Sequence, residues 1–363
     1  MDKTTNNDSR RQFIKSASAL ALTSAVAPSI AASTFEILPS RPKLESKIIG
    51  HGDFKYRVET AWGNLDPQKF PVNNCHEMVM DSKKRIFLLT DHPKNNIIIY
   101  DKSGKFLGSW TLGLKRAHGL TLHDENGTEF LYITDNGGRI IKTTLDGKIL
   151  FELKNPKTTG VYGKHAKFTP TETAIAPNGD IYVADGYGSQ FMLHYDSKGN
   201  FIRKFGGDSF LQPHKFKQAH GIAIDDRDPN NITLICSARI KNAFKRFTLD
   251  SKYIETIYIP GAYVSRPVID GENLYSGVCF GMEEGNFNMT MNKGFVTILD
   301  KNNKVVSNPG GTKPKYKKGK MELVLQDEPI FKHCHDVCVD DDKNLYVCQW
   351  NAGKVYPYKL HRV

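Results

Sequence analysis

Thr173-Ala174-Ile175-Ala176, Ile181-Tyr182-Val183-Ala184-Asp185, Phe191 to Asp196 and Phe201-Ile202-Arg203-Lys204-Phe205 are four short apolar-rich runs in succession, separated by turns rich in Asp, Asn and Gly. Alternation at period two, broken by glycine-containing turns, predicts antiparallel strands in a meander. The phrase has copies on both sides. The one before it runs through Gly119-Leu120-Thr121-Leu122, Phe130 to Asp135, Arg139 to Gly147 and Ile149 to Leu153. Copies start near Cys75, Ala117, Pro170, Ala219, Arg266 and Cys334. Four short strands repeating every 40–50 residues or so are the signature of propeller blades. The expected fold class is therefore all-β, a six-bladed β-propeller.

The ends carry a further expectation. The last copy has Asp336 to Val339, Leu345 to Cys348 and Val355 to Tyr358, and lacks a fourth strand. An orphan run near the beginning, Tyr56 to Gly63, resembles the fourth strand Phe201 to Gly206. The N-terminal strand should complete the C-terminal blade, which closes the ring and removes exposed edges. Pro357 fits a central strand poorly and marks a bulge in that reading. Insertions at Lys154–Phe168, Met282–Asn292 and Ser307–Lys320 read as loops of the kind that often carry function.

The chain has 363 residues and a formal charge of +11. Length alone suggests two domains, but one ring of six blades at 55–363 accounts for it. Residues 1–32 read as an export signal. Arg10-Arg11 precede Phe13-Ile14-Lys15, then a weakly apolar run to Ile30 and the small residues Ala31 and Ala32. The order matches a secretory signal, and the paired arginines point to the twin-arginine export machinery as a partner. A periplasmic or extracellular location follows from that reading, with 33–54 as a leader. The segment holds four basic and two acidic residues, so +9 of the +11 remains without it. That charge is scattered among turns, and the densest run, Lys313 to Lys320, contains Pro314 and Gly319. No nucleic-acid surface is expected. No run of 18 apolar residues is present, so no membrane-spanning helix is expected.

Histidine occupies one position of the repeat. His76, His118, His220 and His335 each come immediately before the innermost strand of a blade, where the side chain points into the central channel. Blades two, four and six are alternate blades, about 120° apart in a six-fold ring. His118, His220 and His335 should therefore converge on the axis. Three neutral imidazoles with an open position suit Zn²⁺ at about 2.0–2.1 Å, the fourth place going to water or substrate.

Ala117-His118-Gly119-Leu120, Ala184-Asp185-Gly186-Tyr187, Ala219-His220-Gly221-Ile222 and His335-Asp336-Val337 resemble the lyase domain of peptidylglycine α-amidating enzymes, a six-bladed propeller of NHL-type repeats. The resemblance covers blades two to six and is closest from Thr171 to Gly207. It implies zinc on His118, His220 and His335, a catalytic tyrosine at Tyr187 and an active-site arginine at Arg239. It also implies a structural calcium on Asp336 and the carbonyl of Leu120. The implied reaction cleaves a peptidyl-α-hydroxyglycine to a peptide amide and glyoxylate, with a small or peptidyl substrate in the channel. In that scheme Tyr187, its pKa lowered from about 10 by zinc and Arg239, takes the hydroxyl proton as a phenolate.

The chain also departs from that pattern. An arginine expected after the second strand of blade one is replaced near Thr90-Asp91-His92. His333 stands for a methionine, Ala238 for an acid, and His76 is an additional imidazole. His76 and His333 are additional channel candidates. The metal core is thus kept while the carboxylate-recognition shell has changed. Another metal-dependent lyase or hydrolase, or a non-catalytic propeller binding protein or glycan, are the alternative readings. The six cysteines follow no zinc spacing, and Cys75 with Cys334, or Cys338 with Cys348, are the disulfide options.

Overall fold

The computed structural model describes residues 47–363. The export signal read at 1–32, and the leader up to residue 46, lie outside the described residues. Six antiparallel sheets form a six-bladed β-propeller. Blade one is Cys75–Met80, Ile86–Thr90, Ile97–Tyr100 and Phe106–Trp110. Blade two is Ala117–Glu125, Thr128–Asp135, Arg139–Thr144 and Ile149–Glu152. Blade three is Glu172–Ile175, Ile181–Ala184, Phe191–Tyr195 and Phe201–Gly206, and blade four is Ile222–Asp225, Thr233–Ala238, Ala243–Thr248 and Tyr253–Tyr258. Blade five sets two short inner strands, Tyr263–Val264 and Val268–Asp270, against the long Asn273–Glu283, followed by Phe295–Leu299 and Val305–Ser307.

One turn device recurs between strands. Asp101, Asp196, Asp300 and Asp340 each accept, through Oδ1, the backbone N–H groups two and four residues ahead. The side chain so mimics a backbone turn. The residue three after each Asp then takes a left-handed conformation: Gly104, Gly199, Asn303 and Lys343, with φ between 60° and 90°. Glycine or asparagine fills three of these four places because a Cβ is costly there.

The core is distributed around the ring. Each of six apolar clusters lies between two neighbouring blades, as Phe87, Leu89, Leu120, Leu131 and Ile133 do between blades one and two. Most of the apolar burial thus lies between blades, so stability comes from stacking neighbours.

Blade six closes the ring. Its own strands are Cys334–Val339, Leu345–Gln349 and Tyr358–Arg362, and Phe54–Glu59 pairs with the last in the register Tyr56↔Arg362 to Glu59↔Lys359. Tyr56 and Val58 are fully buried there. Two details differ from the sequence reading. Ile48–His51, placed in the leader, adds a fifth strand outside Phe54–Glu59. Pro357 precedes the third strand instead of bulging it, since proline has no N–H to give a ladder.

The loop after Leu153 buries Tyr162 and Phe168 against blade three, and the other two insertions contain the short strands Asn286–Thr290 and Tyr316–Lys317. All six cysteines are buried free thiols. Neither disulfide option is formed: Cys348 faces Asp336 and Cys338 faces Tyr346, while Cys75 and Cys334 belong to different inter-blade clusters. No helix among the described residues is long and apolar enough to cross a membrane.

Closure predicts a contrast in stability. Leu360→Ala, at a fully buried position opposite Val58, should cost about 2–5 kcal/mol. Ile48→Ala, on the exposed outer strand, should cost less than about 0.5 kcal/mol. Denaturant unfolding of both variants checks this.

Candidate metal centre at the propeller axis

The start of each innermost strand contributes one residue to a layer around the axis: His76, His118, Thr171, His220, Ser265 and His335. In blades one, two and six the strand register slips at the histidine, between Cys75 and Glu77, Ala117 and Gly119, and Cys334 and Asp336. Such a bulge inserts one residue and re-aims its side chain. The following glycine in His118-Gly119 and His220-Gly221 is required by crowding. A Cβ on Gly119 would stand 2.5 Å from the Thr171 carbonyl oxygen, and one on Gly221 2.7 Å from the Arg266 Cα.

The four imidazoles meet. Ring centroids of His118, His220 and His335 are 4.7–4.9 Å apart in all three pairs. His76 lies 5.1 Å from His118 and 4.8 Å from His335. His76, His118 and His335 each bring one ring nitrogen within 4.8 Å of the others, an arrangement that can hold a metal ion. His220 is outside that tighter group, although its ring borders two of its members.

Hydrogen bonds orient the rings. His118 Nδ1 donates to the Thr171 carbonyl at 2.9 Å, and His335 Nδ1 donates to the His76 carbonyl at 3.0 Å. Nε2 of each therefore carries the lone pair, as a metal ligand requires. His335 Nε2, His76 Nδ1 and both nitrogens of His220 are buried without a partner. Burial holds His118, His220 and His335 well below the ordinary value of 6.5, assisted by the charges of His76, Arg239 and His118 respectively. Neutral imidazoles with idle lone pairs fit a cation.

The residues that follow the second strands wall a cavity of about 410 Å³ beside this layer: Asp91, Asn136, Tyr187, Arg239 and Trp350, with Lys115 and Arg116 at its side. Tyr187 Oη donates to His118 Nε2 at 3.3 Å and accepts from Arg239 Nη1 at 3.4 Å. Arg239 begins the 3₁₀ turn Arg239–Lys241 and is anchored by the Val264 carbonyl at 3.1 Å and Ser265 Oγ at 2.9 Å. It is 2% exposed and has no carboxylate within 4.0 Å among the described residues. Burial pushes the Tyr187 phenol upward, and Arg239 only partly offsets this. Arg239 is one of the two groups expected to lower it, and it faces the hydroxyl as that reading requires.

Asp91 stands where an arginine was expected. Burial would raise its pKa, but hydrogen bonds from His76 and Asn74 win and hold it below the usual carboxylate value. His333 does not join the cluster. Its Nδ1 donates to the Trp350 carbonyl and its Nε2 accepts from the Asn292 N–H, both at 3.0 Å, which leaves no lone pair free.

The calcium expected on Asp336 and Leu120 does not fit. The Arg266 guanidinium fills that place, donating to the carbonyls of Leu120 and Met78 and to both oxygens of Asp336. Glu77 lies 3.2 Å and Glu172 4.0 Å from the same group. Burial first, and the Glu172 charge second, push the Glu77 carboxyl well upward, and the Arg266 charge partly offsets this. Glu77, Glu172, Arg266 and Asp336 occupy the position after the histidine layer in blades one, three, five and six; blades two and four have Gly119 and Gly221 there. Arg266, Glu77 and Glu172 were missed in the sequence; their common repeat position was the available signal. This charged layer separates the histidine cavity from a second one, lined by Met78, Thr121, Ile222 and Pro267.

Comparison with known proteins agrees with the architecture. No protein-family model matches the chain. A probable peptidyl-alpha-hydroxyglycine alpha-amidating lyase of Caenorhabditis elegans is 30% identical over 151 residues, 40% of this chain and 41% of that protein. Peptidyl-alpha-hydroxyglycine alpha-amidating lyase 1 of Drosophila melanogaster is 23% identical over 337 residues, covering 85% of this chain and 54% of that one. The human NHL repeat-containing protein 3 is 24% identical over 179 residues, 47% of this chain and 51% of that one. The chain thus spans about half the length of the curated relatives it matches. Among solved structures, a streptogramin B lyase superposes with TM-score 0.53 at 14% identity, covering 84% of this chain and 97% of that one. Virginiamycin B lyase from Staphylococcus aureus does so with 0.51 at 16% identity, covering 85% and 100%. At these identities the likeness is one of fold.

Two outcomes follow. Calcium or a calcium chelator should leave the melting temperature unchanged. Arg266→Ala should cost about 3–5 kcal/mol by stranding buried carboxylates, and added calcium should restore part of it in thermal unfolding. Second, the three imidazoles held neutral bind fewer protons folded than unfolded. Their contribution is complete above the unfolded value of 6.5 and is lost as pH falls below it toward the depressed folded values. The metal-free protein should lose stability as pH falls from 7 to 5, and His220→Asn should flatten that slope in pH-dependent denaturant titrations.

Proposed function

We propose that this protein is an exported, zinc-dependent carbon–nitrogen lyase acting on an α-hydroxyglycine-like substrate and releasing an amide and glyoxylate. The observation that carries the reading is the Tyr187 hydroxyl, held between His118 Nε2 at 3.3 Å and the unpaired Arg239 guanidinium at 3.4 Å, on the wall of the histidine cavity. His118, His220 and His335 would hold the ion. Bound zinc supplies Lewis acidity toward the substrate oxygens.

The chain's own residues do the rest. A buried guanidinium without a carboxylate attracts an anion, and Arg239 so receives the carboxylate of the substrate. Lys115 and Arg116 border the same cavity and favour that charge. In the reaction the C–N bond breaks, its electron pair stays on nitrogen, and the carbinol oxygen becomes the aldehyde carbonyl of glyoxylate. Nitrogen must gain a proton and the hydroxyl must lose one. The Tyr187 hydroxyl, held between His118 and Arg239, gives its proton to nitrogen. The resulting phenolate, faced by Arg239, takes the hydroxyl proton, so one oxygen serves both transfers. With Arg10-Arg11 read as an export motif, the reaction would run in the periplasm or outside the cell, the substrate entering the channel.

Purified protein should contain about one zinc per chain and release glyoxylate from an α-hydroxyglycine peptide. Tyr187→Phe should lower kcat about 10²–10⁴-fold with its zinc retained. Absence of zinc would defeat the metal reading; zinc without glyoxylate would defeat the substrate and leave another metal-dependent reaction.

A further inference from the structure

Two departures from the amidating-lyase pattern, the extra imidazole at His76 and the carboxylate at Asp91, are in contact. His76 Nε2 lies 3.4 Å from Asp91 Oδ2. We infer that His76 is a fourth metal ligand through Nδ1, and that Asp91 is the residue that positions it. The inference rests on the metal reading above and goes beyond it in the ligand set; substrate would then enter as a fifth ligand, a coordination number catalytic zinc can adopt.

The carboxylate is set before the ring is. Asp91 Oδ1 accepts the Asn74 backbone N–H at 2.9 Å, and its Oδ2 accepts the Asn74 side-chain amide at 2.7 Å. Asn74 Oδ1 in turn accepts the Asn351 N–H at 2.7 Å, which ties the arrangement to blade six. With its orientation fixed in this way, Asp91 selects the tautomer of His76 that has its proton on Nε2. The lone pair then sits on Nδ1, which is buried and has no partner. A carboxylate behind an imidazole that faces a metal is the usual way such ligands are oriented and made more basic.

Cost supports the same assignment. A buried polar atom without a partner is destabilising. The axis holds several: His76 Nδ1, His335 Nε2 and both nitrogens of His220. A single cation would satisfy one nitrogen on each ring. His76 belongs to the tightest group of ring nitrogens, with His118 and His335. Its backbone carbonyl also receives the Nδ1 proton of His335, so one residue ligates and orients a neighbour. Asp91 is spent on His76 and Asn74, which explains how a carboxylate is tolerated beside a pocket that attracts anions.

The test is zinc affinity by chelator competition, together with the visible absorption of the cobalt-substituted protein. Asp91→Asn should weaken zinc binding about 10–100-fold. His76→Ala and His76→Gln should weaken it further and change the cobalt spectrum, and added imidazole should restore the spectrum of His76→Ala. Far-ultraviolet circular dichroism verifies that each variant is folded, and His92→Ala should bind as the parent does. Wild-type affinity and spectrum in both folded His76 variants would overturn the inference while leaving the three-histidine site standing. Weakened binding in the His76 variants with none in Asp91→Asn would overturn the role of Asp91. A parent protein that binds neither zinc nor cobalt would overturn the metal reading itself.

Discussion

Everything at the axis depends on closure of the ring. The pairing of Phe54–Glu59 with Tyr358–Arg362 brings the beginning of the chain to its end. Blade six is thereby held against blade one, and Trp62 packs between Tyr100 and Tyr346 at ring-centroid distances of 5.1 and 4.7 Å. Only then can His335 reach the His76 carbonyl, and Arg266 reach Asp336, Met78 and Leu120 from across the channel. An open ring would leave six short strands with idle lone pairs and unpaired charges. Closure is driven by inter-blade apolar burial, which is non-directional. The polar residues at the centre then decide how closely the innermost strands approach.

Those polar residues form two layers with opposite electrostatic character. In the histidine layer, burial and neighbouring charges disfavour protonation of His118, His220 and His335. The next layer carries charge, with one guanidinium among Glu77, Glu172 and Asp336. A propeller axis has little room and little water, so a cluster of carboxylates there needs a cation. In this chain the cation is covalent. Arg266 performs the bridging that a divalent ion would perform, and it does so without exchange with solvent. The lone pairs of the upper layer have no such built-in partner among the described residues.

The strands, their number and the ring were legible in the chain because period-two alternation and the Asp-initiated turns repeat almost unchanged. The closing strand was legible for the same reason, as a fourth strand without a blade. The histidine register was legible because one residue type recurs at one repeat position. Arg266, Glu77 and Glu172 share the next repeat position but differ in chemical type, so the position recurs while the residue does not. Their partnership exists only across the channel. His333 reads in sequence like a channel histidine; hydrogen bonds to Trp350 and Asn292 give it a structural place instead. Asp91 reads as a repulsive replacement for an arginine, and its contacts show it turned toward His76.

By itself the sequence determined the architecture and the residue types presented at the axis, since local alternation and turn chemistry are properties of neighbouring residues. The tertiary structure alone decided which lone pairs stay free, which nitrogen of His118 and of His335 carries the proton, and that a guanidinium fills the lower layer. Those outcomes depend on donors and acceptors far apart in the chain, brought within about 3 Å only when the ring closes.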